Sequence, residues 1–126
     1  MPKKSARGWR RLVDATRYSF KGLKAAWAHE AAFRQEIGLA LILLPAAFWL
    51  GRTTVQRILL LSSCLLILIV EMVNSAVETL VDRIGLDEHP LSGRAKDMGS
   101  AAVMLSLIVL AVVWGLVAWQ RWTGAP

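Results

Sequence analysis

The chain has 126 residues, of which 56% are hydrophobic, and it carries a net charge of +6. This composition is too apolar for an ordinary soluble domain of such length. Its long uncharged runs match the thickness of a bilayer, so the sequence predicts an all-α membrane protein.

The first predicted element is a basic amphipathic helix within residues 1–29. Its apolar side recurs at helical spacing and comprises Trp9, Leu12, Val13, Thr16, Phe20, Leu23 and Trp27. The opposite side is basic and comprises Arg10, Arg11, Arg17, Lys21 and Lys24. An apolar side that recurs at helical spacing between the cations is typical of a helix lying on an anionic membrane surface, so no nucleic-acid partner is expected.

Residues 30–126 are predicted to form one unit with three transmembrane helices, at about 31–50, 55–81 and 98–119. The first span is long enough only if it begins near Ala31 and keeps Arg34 and Glu36 at the membrane interface. It also contains Pro45, which membrane helices tolerate. The one cysteine, Cys64, lies inside the second span and indicates neither a disulfide nor a thiolate metal site.

The basic residues predict the orientation. Eight of the fifteen precede the first span: Lys3, Lys4, Arg7, Arg10, Arg11, Arg17, Lys21 and Lys24. Three more lie between the second and third spans: Arg83, Arg94 and Lys96. The other connection and the tail hold only Arg52, Arg57 and Arg121. The positive-inside rule therefore predicts a cytoplasmic N-terminus and a C-terminus on the opposite side.

Glu71 follows directly on an apolar run within the second span. A carboxylate inside a membrane helix costs at least a few kcal/mol, so it indicates a functional site. Helical periodicity places it on one face with the polar residues Asn74, Ser75, Glu78 and Asp82. The alternative interpretation is a buried polar seam that only fixes the packing of the helices.

Glu78 lies about 10 Å along the helix from Glu71, so the two carboxylates cannot bind one ion and should differ in function. Other charged residues are expected at the level of Glu78, near the cytosolic interface: Glu30, Arg94, Lys96 and Asp97. Hard carboxylate oxygens without a Cys or His cluster suit Mg²⁺ and substrate phosphates. This combination predicts phosphoryl transfer to a molecule dissolved in the bilayer, and the alternative is a set of solvated ion pairs.

Soluble nucleotide-binding folds are excluded, because the sequence has no GxxxxGK[ST] loop and no GxGxxG motif. Four segments instead resemble signature segments of the prokaryotic diacylglycerol kinases: 30–36 (EAAFRQE), 69–78 (IVEMVNSAVE), 81–85 (VDRIG) and 91–102 (LSGRAKDMGSAA). The likeness covers roughly residues 8–119, with the same number and order of spans, and is greatest to the Gram-negative branch.

This resemblance implies a homotrimeric enzyme of the bacterial inner membrane, with sites shared between subunits. It implies that the enzyme uses ATP with Mg²⁺ to phosphorylate diacylglycerol to phosphatidic acid. By the same resemblance, Glu71 is the catalytic base, and Glu30 and Glu78 are the metal ligands.

The resemblance assigns further residues to the two substrates. Those around ATP, besides Glu30 and Glu78, are Arg11, Tyr18, Asn74, Asp87, Glu88, His89, Lys96 and Asp97. Those on the lipid side, besides Glu71, are Ala32, Phe33, Arg34, Gln35, Glu36, Trp49 with residues 50–52, Arg57 and Ser100. Segment 86–90 departs from the family pattern.

Two other functions remain open from the sequence. A related branch phosphorylates undecaprenol, and a small transport or proton-relay subunit would use Glu71 to cycle protons. Small residues at 99–102 are interpreted as allowing close approach of helices. Four tryptophans are interpreted as anchors at the membrane boundaries: Trp49, Trp114, Trp119 and Trp122.

Overall fold

A computed structural model describes residues 8–126, and within that range the chain forms four α-helices. They are α1 (Trp9–His29), α2 (Ala31–Leu50), α3 (Thr54–Ile84) and α4 (Pro90–Thr123). By length and composition, α2, α3 and α4 can each cross a membrane. The prediction of an all-α chain with three spans is therefore confirmed. Lys3, Lys4 and Arg7 lie outside the described residues.

Helices α3 and α4 are longer than the predicted spans. The third span was expected from about residue 98, but α4 begins at Pro90, with His89 as its N-cap. Arg94, Lys96 and Asp97 therefore lie on the first turns of a helix and not in a connection. The difference arises because hydropathy reports the apolar part of a helix, whereas a proline at the first helical position starts the helix in polar sequence. Helix α2 starts at Ala31 as expected and continues through Pro45.

A short turn joins α2 to α3, and its geometry requires a glycine. A Cβ atom on Gly51 would lie 2.7 Å from Cγ of Arg57 and 2.9 Å from the carbonyl oxygen of Ala47. Helix α3 then begins with a capping box, in which the Thr53 hydroxyl accepts the Gln56 amide N–H at 3.1 Å. The Gln56 side chain accepts the Thr53 N–H in return. The turn thus fixes where α3 enters the bundle.

Helix α3 is the central element, since its main contacts are with α4 and then with α2. Near the α2–α3 turn, a compact apolar cluster joins the three helices: Ala47, Leu50, Leu60 and Val117. Toward the middle of α3, the Trp114 indole N–H donates to the Ser63 hydroxyl at 3.2 Å. Because α3 has a neighbour on each side, it can carry buried polar groups that α2 and α4 shield.

Two arginines cap the C-terminal end of α2, where helix carbonyls have no partner within the helix. Arg57 donates to the carbonyls of Gly51 at 3.0 Å and Phe48 at 3.3 Å. Arg121 donates to the carbonyl of Trp49 at 3.2 Å, and its guanidinium lies 4.7 Å from the Trp49 ring centroid. Cations are favourable at this end of a helix dipole. The cap ties α2 to both other spans.

We expect Arg121→Gln to lower the free energy of unfolding by about 1–3 kcal/mol, because a charged hydrogen bond to the end of α2 is lost. Thermal unfolding in detergent micelles, followed by circular dichroism, measures the change. Arg52→Gln is the matched control, since Arg52 is an exposed arginine of the same turn. Equal melting temperatures for the two variants would show that the cap adds no stability.

Candidate active site

The middle of the polar face of α3 is buried inside the protein. Glu71 is 5% exposed, Ser75 is 7% exposed and Asn74 is 9% exposed. Of the five buried polar residues in the described range, α3 supplies four, and Ser106 on α4 is the fifth. The Ser75 hydroxyl interacts with the Glu71 carboxylate. Three residues of the predicted polar stripe, Glu71, Asn74 and Ser75, therefore face protein, whereas Glu78 is half-buried and Asp82 is exposed.

Further acids converge on Glu71 from neighbouring segments. The charges of Glu78 and Glu30 act on its carboxylate, and the charge of Glu71 in turn acts on Glu36 of α2. Glu30 is the single extended residue between α1 and α2, with φ −116° and ψ 106°. Like charges in a low-dielectric setting repel strongly. A site of this kind favours a cation, or a proton, as its partner.

The donor set can be compared with what Mg²⁺ requires. Within residues 8–126, no group of three or more His, Cys, Asp or Glu side chains is arranged to hold a metal. Glu30 and Glu78 would therefore bind an ion only with other oxygens, and Mg²⁺ is usually held by one or two carboxylates with substrate phosphates and water. Between Glu71 and Glu78 along the helix, Asn74 Oδ1 is a further buried oxygen and has no hydrogen-bond partner. The polar side chains of this face offer hard oxygen donors, which fits Mg²⁺.

An open cavity of about 630 Å³ lies at the connection between α3 and α4. Its lining includes residues predicted to surround a nucleotide: Asp87, Glu88, His89 and Lys96. His89 Nδ1 accepts the Leu91 N–H at 3.1 Å, so this imidazole caps α4. The lining combines the N-terminus of α4 and Lys96, which favour anionic groups, with three acids that favour cations: Asp82, Asp87 and Glu88.

Lys96 connects the cavity with the acidic face. Its Nζ lies 2.8 Å from Asp82 Oδ1, with both side chains about half exposed. The charge of Glu78 also acts on Lys96. An exposed pair of this kind adds little stability, so its main consequence is that the lysine lies near the acidic face.

The predicted lipid-side residues of α2 have different environments. Ala32 and Gln35 are exposed, whereas Phe33 is 3% exposed and packs inside the protein. Arg34 donates from Nη1 to the carbonyl of Trp27 at 2.7 Å and so caps the end of α1. The Oε2 atom of Glu36 is buried without a hydrogen-bond partner, and the position of Glu36 at the membrane interface stays a prediction.

The other predicted site residues, apart from residues 50 and 51, are exposed. Arg57 is fourteen residues from Glu71, which is about 20 Å along α3. Trp49 lies near the same end of α3 as Arg57, and the Trp49 ring centroid is 6.4 Å from that of Trp122. Arg11 and Tyr18 are exposed on α1, which contacts mainly α2. Asp97 and Ser100 are exposed on α4.

Three contacts were missed from the sequence: Asp82 with Lys96, Arg34 with the end of α1, and Asn74 with Gly99. One signal was present for the first of them. A five-residue connection between two long helices predicts antiparallel neighbours, which brings residues at similar distances from the turn together. The other two contacts depend on side-chain reach and volume, which periodicity does not report.

Comparison with known proteins gives consistent results. The model of the prokaryotic diacylglycerol kinase family matches residues 17–118. The diacylglycerol kinase of Escherichia coli (strain K12) is 51% identical over 114 residues, which cover 90% of this chain and 93% of that protein. That of Haemophilus influenzae is 53% identical over 108 residues, covering 86% of this chain and 92% of that protein. That of Pseudomonas aeruginosa is 48% identical over 116 residues, covering 92% and 94% respectively.

Proposed function

The chain belongs to the prokaryotic diacylglycerol kinase family, and on that premise we propose that it transfers the γ-phosphoryl group of ATP to diacylglycerol. The products are phosphatidic acid and ADP. The observation that carries the proposal is the buried Glu71 carboxylate within a helix long and apolar enough to span a membrane, on one face with Glu78. Relatives named diacylglycerol kinase at about half identity support the choice of lipid.

In the proposed reaction, Glu71 acts as the general base. Its carboxylate accepts the proton of the diacylglycerol hydroxyl while the hydroxyl oxygen forms a bond to the γ-phosphorus of ATP. The bond from that phosphorus to the bridging oxygen breaks, ADP leaves with the electron pair, and the proton remains on Glu71. Burial supports this role, because a base with few water contacts is free to accept a substrate proton.

Glu30 and Glu78 are proposed to hold Mg²⁺ together with phosphate oxygens of ATP. When bound, this ion would neutralise negative charge on the phosphates. The two carboxylates keep the nucleotide at one level of the bundle. Glu71, two turns from Glu78, remains unligated and able to accept a proton.

The nucleotide is proposed to occupy the cavity at the α3–α4 connection. Lys96, held beside the acids by Asp82, would lie close to the phosphates and offset their charge. Asn74 would contribute its amide from the same face of α3, and Asp87, Glu88 and His89 would line the nucleotide. Arg11, Tyr18 and Asp97 remain proposed nucleotide contacts from the family resemblance.

The lipid is proposed to approach from the bilayer side. Ala32 to Glu36 and Ser100 lie on α2 and α4 near the level of Glu71, which would let a glycerol hydroxyl reach the base. Trp49 and Arg57 are assigned to the lipid side by resemblance alone, and they lie about 20 Å away along α3.

The proposed cellular setting is the bacterial inner membrane, with a cytoplasmic N-terminus and a periplasmic C-terminus. Residues 1–29 would lie on the anionic membrane surface, and residues 30–126 would form the kinase domain as a homotrimer with shared sites. Two features support this arrangement: α1 exposes both aromatic and basic residues, and the three spans expose most of their apolar surface. Lipid or other subunits would cover that surface.

We expect the purified chain to phosphorylate diacylglycerol in mixed micelles with MgATP, at a higher kcat/KM than undecaprenol. The measurement is incorporation of labelled phosphate into each lipid, assayed side by side. A preference for undecaprenol would move the chain to the related polyprenol branch. No transfer to either lipid by well-folded protein would favour the transport or proton-relay interpretation.

We expect Glu71→Gln to reduce kcat by roughly 100- to 10,000-fold, because positioned general bases typically contribute that amount. Glutamine keeps the shape and hydrogen bonding of the side chain but lacks a basic oxygen. Protection of the protein by MgATP against thermal unfolding should persist, since the proposed metal ligands are intact. Near-normal turnover in this variant would show that Glu71 only packs between the helices.

A further inference from the structure

Gly99 of α4 lies against the side chain of Asn74 on α3. A Cβ atom on Gly99 would overlap Asn74 Oδ1 and would lie 3.3 Å from Asn74 Cγ. Gly93 and Gly115, on the same helix, have open space at the corresponding position. The requirement for glycine is therefore specific to position 99 within α4.

Asn74 has little freedom to move away from such an atom. Its side chain is 9% exposed, and Oδ1 is buried with no hydrogen-bond partner. Helical geometry largely restricts χ1 to two rotamers, so the amide can yield chiefly by turning about χ2, against the protein that surrounds it. The amide also lies on the same face as Glu71 and Glu78, one turn from each. Any rotation of the Asn74 side chain would therefore change which hydrogen-bonding groups this face of α3 offers to a ligand.

We infer that Gly99 is a positioning residue, which by lacking a side chain holds the Asn74 amide in place between Glu71 and Glu78. This inference rests on the proposed function, in which Asn74 contacts the bound nucleotide. A side chain at 99 would either turn the amide away or separate α3 from α4. Misplacement of a site group by about 1 Å can reduce turnover by 100-fold.

The general alternative is that Gly99 serves only close helix packing, like other small residues in membrane helices. The two roles predict different effects of a methyl group at position 99 once the Asn74 side chain has been shortened. If Gly99 acts through Asn74, shortening Asn74 makes room for a methyl group at position 99. If Gly99 serves backbone approach alone, the methyl group has the same effect whether or not Asn74 is present.

A double-mutant cycle of melting temperatures tests the contact without any activity assay. Gly99→Ala should lower the melting temperature of the otherwise unchanged chain. In the Asn74→Ala background, the same change should be neutral or stabilising, because the overlap is gone and alanine favours helix over glycine. Gly115→Ala is the matched control and should be neutral or stabilising in both backgrounds. An equal loss from Gly99→Ala in both backgrounds would overturn the inference.

Kinetics of the single variant test the positioning role. Gly99→Ala should raise KM for MgATP or lower kcat by roughly 10- to 100-fold, while KM for diacylglycerol stays within about two-fold. Gly115→Ala should match the unmodified chain in all three constants. A folded Gly99→Ala protein with unchanged kcat and KM for MgATP would overturn the positioning role.

The two sets of results separate the inference from the proposed function. If the unmodified chain phosphorylates no lipid, the proposed function fails, and with it the link from Gly99 to the nucleotide. The melting-temperature cycle would still decide whether Gly99 holds Asn74.

Discussion

Glu71 is 5% exposed and places its carboxylate within a helix that is otherwise largely apolar. A charged or polar group in that setting is tolerated only where protein surrounds it, so α3 must have a neighbour on each side. The helix order supplies this, because short connections place α2 and α4 against α3. Glu30, Glu36 and Glu78 add negative charge around the same carboxylate. The bundle is thus arranged around a concentration of acids that favours a cationic partner.

The two ends of α3 have different structures. At the α2–α3 turn, Arg57 and Arg121 bind helix carbonyls, and an apolar cluster fills the interior. At the α3–α4 connection, acids, Lys96 and an open cavity replace the apolar core. The first end provides a rigid frame, and the second leaves polar groups accessible to a ligand. This division lets three helices hold a group of acids whose burial is energetically unfavourable.

Much of this arrangement could be predicted from the sequence. The three spans follow from hydropathy, and the buried polar residues from Glu71 to Ser75 follow from the period of a helix. Hydropathy and helical periodicity do not detect the polar ends of helices, so they do not predict that α4 begins at Pro90. Nor do they report the register of one helix against the next, which depends on side-chain volume and loop length. Two contacts result from that register, one between Gly99 and Asn74 and one between Lys96 and Asp82.

The central claim is that acids on one face have separate tasks, with Glu30 and Glu78 holding the metal and Glu71 taking the proton. The most direct test is the Mg²⁺ dependence of lipid phosphorylation at saturating ATP in Glu30→Gln and Glu78→Gln. Each variant should need at least about 10-fold more Mg²⁺ for half-maximal activity, because one ligand of a hard ion is lost. Glu36→Gln removes an acid outside the proposed ligand pair, and its Mg²⁺ dependence should match that of the unmodified chain. Unchanged Mg²⁺ dependence in both Glu30→Gln and Glu78→Gln would contradict the account.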